Sequence, residues 1–218
     1  MPASDTLRAP PAPRQPRPMT WVPAERDGAA MMAQTLAQWR SLGPRADLWV
    51  FGYASLVWRP EFAAAESRMA RVHGHHRCLQ MWSRVNRGTP DCPGLVFALM
   101  PGGSCTGLAL RLPHDEVEAT MPRLWAREMP NPVYDPKWLL CDTAQGPVRA
   151  LAFTLSRRSP SYTGPLDSEQ YRDIFARARG RYGSTQEYAR RTHEGLLAHG
   201  IEDRALARLL QLAEPATP

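Results

Sequence analysis

Leu48-Trp49-Val50-Phe51-Gly52-Tyr53-Ala54-Ser55-Leu56-Val57-Trp58-Arg59 is the stretch on which the fold turns. Four apolar residues, Leu48 to Phe51, read as a buried strand. The strand then runs into Gly52, Tyr53, Ala54 and Ser55, which read as a tight turn. A strand that ends in small residues presents backbone N–H groups without ladder partners. Such groups can form an anion-binding concavity.

Outward from this stretch, the chain orders its elements as one helix, many strands, then helices. Asp27 is placed to cap a helix from about Gly28 to Leu42, with Met32, Leu36 and Trp39 at helical spacing and Gly43-Pro44 as a stop. Arg68 to Trp82 reads as one or two strands. Gly94 to Met100 and Ser104 to Leu112 read as two strands joined by a Pro101-Gly102-Gly103 hairpin. His114 to Met129 is helical in pattern, with a break or kink expected at Pro122. Val148 to Leu155 is a further strand. Asp167 with Gln170 and Ser184 with Glu187 resemble capping boxes. They open helices expected to end at Gly180 and Gly200, and Asp203 is placed to cap a last helix. This order predicts an α+β fold with a curled or closed sheet. The expected division is a Pro/Arg-rich flexible tail at 1–26, an N-terminal helix at 27–44, the main domain at 45–213 and a short tail at 214–218.

The totals narrow the function. The 218 residues suit one domain with a sizeable core, and the net charge of +6 is carried almost wholly by arginine, since Lys137 is the single lysine. No Lys/Arg run of five or more occurs, which argues against a nucleic-acid patch; an anionic small molecule fits the same charge. No run of eighteen apolar residues is present, so no membrane span is expected. Prolines and arginines stand where a signal peptide would carry its apolar stretch. Cys78, Cys92, Cys105 and Cys141 form no Cys-x-x-Cys pair. Together these features predict a cytoplasmic, reducing setting. His73 and His75 would share one strand face, but with only Cys78 nearby they lack a ligand set, and no metal is expected.

Glu128 is the first candidate for chemistry. It stands among Trp125, Met129 and Pro130 beside Arg127. Apolar surroundings raise a carboxyl pKa, which suits a general base near neutrality. The plainer reading is a structural ion pair with Arg127.

Several motifs carry a resemblance to a known family. Phe51 to Trp58 resembles the Gly-Tyr-Gly-Ser-Leu signature of the ChaC family of γ-glutamylcyclotransferases. Arg87 to Gly94, Gly103 to Gly107, Leu124 to Met129, Tyr162 to Leu166, and Gly183-Ser184 with Glu187-Tyr188 follow in the family's order. The resemblance implies a small mixed β-barrel flanked by helices, and cleavage of glutathione to 5-oxoproline and cysteinylglycine without metal or cofactor. It implies that Glu128 is the catalytic base. It also implies that Tyr53, Ala54, Ser55, Leu56, Val57 and Trp58 grip the γ-glutamyl group, with Tyr188 and Tyr162 lining the pocket. The alternatives are a cyclotransferase for another γ-glutamyl amine, or a binding or regulatory protein of the same fold. Two positions depart from the pattern. Asp91 replaces a usual glutamate, and Ala54 replaces a usual glycine. If that turn needs positive φ, alanine costs about 1–2 kcal/mol there.

Overall fold

The apolar run Leu48–Gly52 is strand β1 of a closed barrel. The protein is described here from a computed structural model covering residues 26–213; the tails expected at 1–26 (Arg26 excepted) and 214–218 lie outside the described residues. The elements in order are α1 (Gly28–Arg40), β1, α2 (Ser55–Trp58), β2 (Glu66–Ser83), β3 (Gly94–Leu112), α3 (His114–Glu128), β4 (Asp135–Thr143) and β5 (Val148–Thr154). They are followed by α4 (Ser168–Arg177), a short β6–β7 pair (Arg179–Gly180, Gly183–Ser184), α5 (Thr185–Ala198) and α6 (Arg204–Gln211).

The barrel runs β1-β3-β2-β4-β5. β1 closes it by pairing parallel with β5, Val50 opposite Leu151; the other main pairs are antiparallel. This is the small mixed β-barrel flanked by helices that the sequence resemblance implied. Fully buried side chains pack on both faces of its wall, among them Val50, Phe51, Leu99, Leu112, Leu151 and Phe153. No helix among the described residues is long and apolar enough to cross a membrane.

The helix ends follow their capping chemistry. Asp27 accepts from the Ala29 and Ala30 amides, and Asp203 from the Leu206 amide. Asp167 and Gln170 form a complete capping box; at Ser184 the side chain accepts from the Glu187 amide. α1 seats Leu36 and Trp39 in the core. The Trp39 ring lies 5.2 Å from that of His114 at the start of α3, and Trp138 on β4 donates to the Gln38 side chain at 2.9 Å.

Several expectations are corrected. Pro101-Gly102-Gly103 does not reverse the chain: β3 is one continuous strand. β2 is also continuous, and the two stay paired on both sides of a register shift between His73 and His75. Gly74, Gly102 and Gly103 take positive φ there, so the glycines make a bulge that kinks both strands. The bulge also interrupts the alternation expected to align His73 with His75. His73 pairs with Asp142 at 3.2 Å, and a ring nitrogen of His76 lies 2.8 Å from the Gly102 carbonyl oxygen. Among the described residues, no group of three or more His, Cys, Asp or Glu is placed to hold a metal.

Pro122 does not end α3. It lies on the exposed face, where water can take up the carbonyl it leaves unpaired, while Val117, Met121, Leu124 and Trp125 are buried on the other side. α4 stops at Arg177, short of Gly180, because Ala178 is already extended. β4 was not anticipated, nor was the single turn α2.

At Gly107 the strands approach too closely for a side chain: a Cβ there would meet the Gly52 carbonyl oxygen at 2.3 Å and the Phe51 ring at 3.0 Å. Gly107→Ala should therefore push β1 off β3 and destabilise the fold by roughly 1–3 kcal/mol, the usual cost of overpacking. A denaturation midpoint equal to that of the parent protein would show that these strands have slack.

Candidate functional site

β1 and β5 are parallel neighbours, so their C-terminal ends lie at the same end of the barrel. A small cavity opens there, lined by Tyr53, Ala54, Ser55, Leu56, Phe97, Glu128, Tyr134, Phe153 and Tyr188.

The chain leaves β1 at Gly52 and turns into α2. The Tyr53 hydroxyl crosses the barrel end and donates to the Phe153 carbonyl of β5 at 3.0 Å. The amides of Ala54, Ser55 and Leu56 donate to no backbone acceptor among the described residues, and each of the three residues lines the cavity. This row of free donors is suited to a carboxylate or a developing oxyanion.

Glu128 is the last residue of α3, with its side chain 15% exposed. Burial pushes its carboxyl above the ordinary value of 4.5. Arg127 opposes that rise through its charge, and Glu61 adds to it. The Arg127 Nε stands 3.1 Å from Glu128 Oε1. The same guanidinium donates to the Arg59 carbonyl and, at 3.1 Å, to Ser55 Oγ. Arg127 therefore ties the end of α3 to both sides of α2. Because Ser55 Oγ accepts from Arg127, its own hydroxyl proton is left to donate into the cavity.

Three phenols surround the carboxylate. Burial raises Tyr53 and Tyr134 well above 10 and pushes Tyr188 up to about 12. All three remain neutral hydrogen-bond donors at physiological pH. Tyr188 comes from the first turns of α5. Its ring lies 5.5 Å from that of Phe97, and the Arg87 guanidinium sits 4.8 Å over it.

Of the residues singled out in the sequence, Tyr53, Ala54, Ser55, Leu56, Glu128 and Tyr188 are brought together around this cavity. Val57, Trp58 and Tyr162 are not among its lining residues. Val57 packs into the core. Trp58 stands behind Tyr188, ring centroids 6.4 Å apart, and donates to Thr192 Oγ1 at 3.2 Å. Tyr162 pairs with Met81 through a single β-bridge. Tyr134, Phe97 and Phe153 line the cavity but were missed. Phe97 and Phe153 read only as strand core, and Tyr134 lies beyond a Pro130-Asn131-Pro132 loop whose path the sequence does not reveal.

Ala54 has φ −144°, so the turn makes no use of the left-handed region. The strain argument attached to a missing glycine therefore falls. Ala54→Gly should bring no gain in substrate affinity, and the added chain freedom should lower stability by up to about 1 kcal/mol. A rise in affinity for a γ-glutamyl ligand, measured by calorimetry, would contradict this.

Comparison with known proteins agrees with the geometry. The profile of the family described as ChaC-like protein matches residues 48–215. The chain is 35% identical over 183 residues to the glutathione-specific gamma-glutamylcyclotransferase of Escherichia coli, covering 84% of this chain and 78% of that one. It is 31% identical over 186 residues to the human glutathione-specific gamma-glutamylcyclotransferase 1, covering 82% and 84%. In three dimensions it is similar to a yeast γ-glutamyl cyclotransferase specific to glutathione, with TM-score 0.69, 19% identity, and coverage of 77% of this chain and 96% of that one. With the profile spanning most of its length and the barrel-end cavity in place, the chain belongs to the ChaC-like family.

Proposed function

We propose that this chain is a glutathione-specific γ-glutamylcyclotransferase, releasing 5-oxoproline and cysteinylglycine. The observation that carries the reading is a buried, proton-avid Glu128 sharing one small cavity with the backbone-unpaired amides of Ala54, Ser55 and Leu56.

In this reading the turn amides hold the curled γ-glutamyl group by its oxygens, and the Ser55 hydroxyl supports them. Glu128 takes a proton from the α-ammonium. The freed amine attacks its own γ-carbonyl and closes a five-membered ring. The carbonyl oxygen becomes an oxyanion, stabilised by donors already in place. The ring nitrogen sheds its second proton as the C–N bond to cysteine breaks, and both protons end on the departing amine. No water is consumed. Holding the two ends of one molecule together can supply roughly 7–11 kcal/mol of the barrier.

No atom changes oxidation state, and every charge that develops has a hydrogen-bonding partner, so the reading calls for no metal or organic cofactor. The four free cysteines fit a reducing, cytoplasmic setting. Burial pushes the Cys78 and Cys141 thiols up to about 12, so neither is poised as a nucleophile.

Purified protein incubated with glutathione should yield 5-oxoproline and cysteinylglycine in equal amounts, and dialysis against a strong chelator should leave the rate unchanged. Absence of 5-oxoproline overturns the proposal. Glu128→Gln should lower kcat by roughly 10²–10⁴, the usual share of a positioned general base. Glu118→Gln, whose carboxylate pairs with Arg40 at the surface, is the control. Glu61→Gln is not a neutral control, since Glu61 acts on both Arg127 and Glu128.

The same substitution has a stability signature. The Glu128 carboxyl titrates above 4.5 in the fold, so folding favours its protonated form. That contribution is complete below the unfolded pKa and is lost as pH rises through the folded value. At neutral pH the ionised carboxylate is a cost. Glu128→Gln should therefore raise Tm at pH 7, and the gain should shrink as pH falls through the folded value and level off once pH is below 4.5. A Tm deficit at pH 7 would mean that the ion pair with Arg127 outweighs desolvation.

A further inference from the structure

Arg77 lies on β2, beyond the bulge, with its side chain only 5% exposed. Its Nη1 donates to the Tyr53 carbonyl at 2.7 Å and to the Thr106 carbonyl at 3.2 Å. Its Nε and Nη2 both donate to Asp203 Oδ2, at 2.9 and 2.7 Å. Asp203, with its side chain 17% exposed, is the N-cap of α6, and its other oxygen accepts from the Leu206 amide at 2.9 Å. A buried guanidinium thus joins three separate elements: the turn after β1, the interior of β3 and the last helix.

The two carbonyls it holds stand where the β1–β3 ladder gives out. That ladder ends with Gly52 opposite Leu108. Tyr53 is the next residue on β1, and Thr106 lies two residues beyond Leu108 on β3; Arg77 donates to the carbonyls of both. The peptide between Tyr53 and Ala54 is trans, so its N–H points opposite to its C=O. Arg77 does not line the cavity and Ala54 does. A carbonyl drawn toward Arg77 therefore sends the Ala54 amide to the cavity side.

We propose that Arg77, locked by Asp203, is a positioning residue that orients the Tyr53–Ala54 peptide so that its amide faces the γ-glutamyl group. The claim rests on the cyclotransferase reading for the identity of the ligand. It accounts for a buried ion pair that is a weak source of net stability, since desolvating two charges offsets most of their attraction. It also gives α6 a part in the site although no residue of α6 lines the cavity. The guanidinium fork is what the geometry uses: one arm reaches the turn and two reach the carboxylate. An ammonium, as a point charge, cannot serve all three.

The test is glutathione affinity, measured by calorimetry in a Glu128→Gln background so that no turnover intervenes, beside turnover in the unmodified background. Asp203→Asn keeps an N-cap of equal rank for α6 but removes the charge that locks Arg77. Arg77→Lys keeps the charge but loses the fork. Both should weaken glutathione binding by about 10- to 100-fold, the scale of a small misplacement at a binding group. Leu206→Ala loosens α6 without touching the clasp. At an equal fall in Tm it should leave affinity within about twofold, well inside the error of one tenfold step. Affinity that tracks Tm across all three variants, or that is untouched in Arg77→Lys, overturns the proposal. Arg77-dependent binding in a protein that makes no 5-oxoproline would uphold the clasp while removing the cyclotransferase reading. Turnover with binding indifferent to Arg77 would do the reverse, and absence of any glutathione binding would overturn both.

Discussion

The barrel closes because β2 and β3 stay paired through a bend. β3 pairs along one side with β2 over nearly its whole length, and at Leu108 to Leu112 its other edge carries β1. At Leu99 it also meets β5. A hairpin at Pro101 to Gly103 would have split this strand and removed its ability to serve both ends. The glycines instead absorb the kink while the partner strand continues. With both strands bent at one place, β1 and β5 come together in parallel and their ends define the mouth of the cavity.

The site is a consequence of where the ladder stops. While β1 is paired, its N–H and C=O groups are taken. Beyond Gly52 the pairing ends, Arg77 donates to the Tyr53 and Thr106 carbonyls, and the amides of Ala54 to Leu56 find no backbone acceptor among the described residues. An unpaired amide is costly if buried dry. Here the row borders a cavity, where water or a substrate oxygen can satisfy it. The donor set is thus built from the backbone of an interrupted strand and needs no special side chain beyond Ser55.

Glu128 illustrates two readings of one residue that turn out to be compatible. It forms an ion pair with Arg127, as a structural glutamate would, and it is also destabilised in its charged form by burial. The balance of the two is what matters. Arg127 divides its donors among Glu128, Ser55 and the Arg59 carbonyl, so it orients the carboxylate without neutralising it outright. Burial is the larger influence, so the carboxyl holds its proton to higher pH than an exposed glutamate does.

Much of this was legible in the chain itself. The strand ending at Gly52, the caps at Asp27, Asp167, Ser184 and Asp203, and the apolar setting of Glu128 are local signals. Each depends on residues within a few positions, so sequence order carries it. The α+β order followed from them, while the turn after β1 was marked out by its resemblance to a family motif. What the chain did not disclose depends on partners far away. Whether Pro101-Gly102-Gly103 is a hairpin or a bulge is decided by whether β2 continues beside it. Whether Pro122 breaks α3 is decided by which face the rest of the protein buries. Phe97, Tyr134 and Phe153 join Glu128 only when the barrel closes, and the Tyr53 hydroxyl meets the Phe153 carbonyl across 100 residues of chain. Local chemistry set where each element begins and ends; the site came from strand closure, which no short-range pattern encodes.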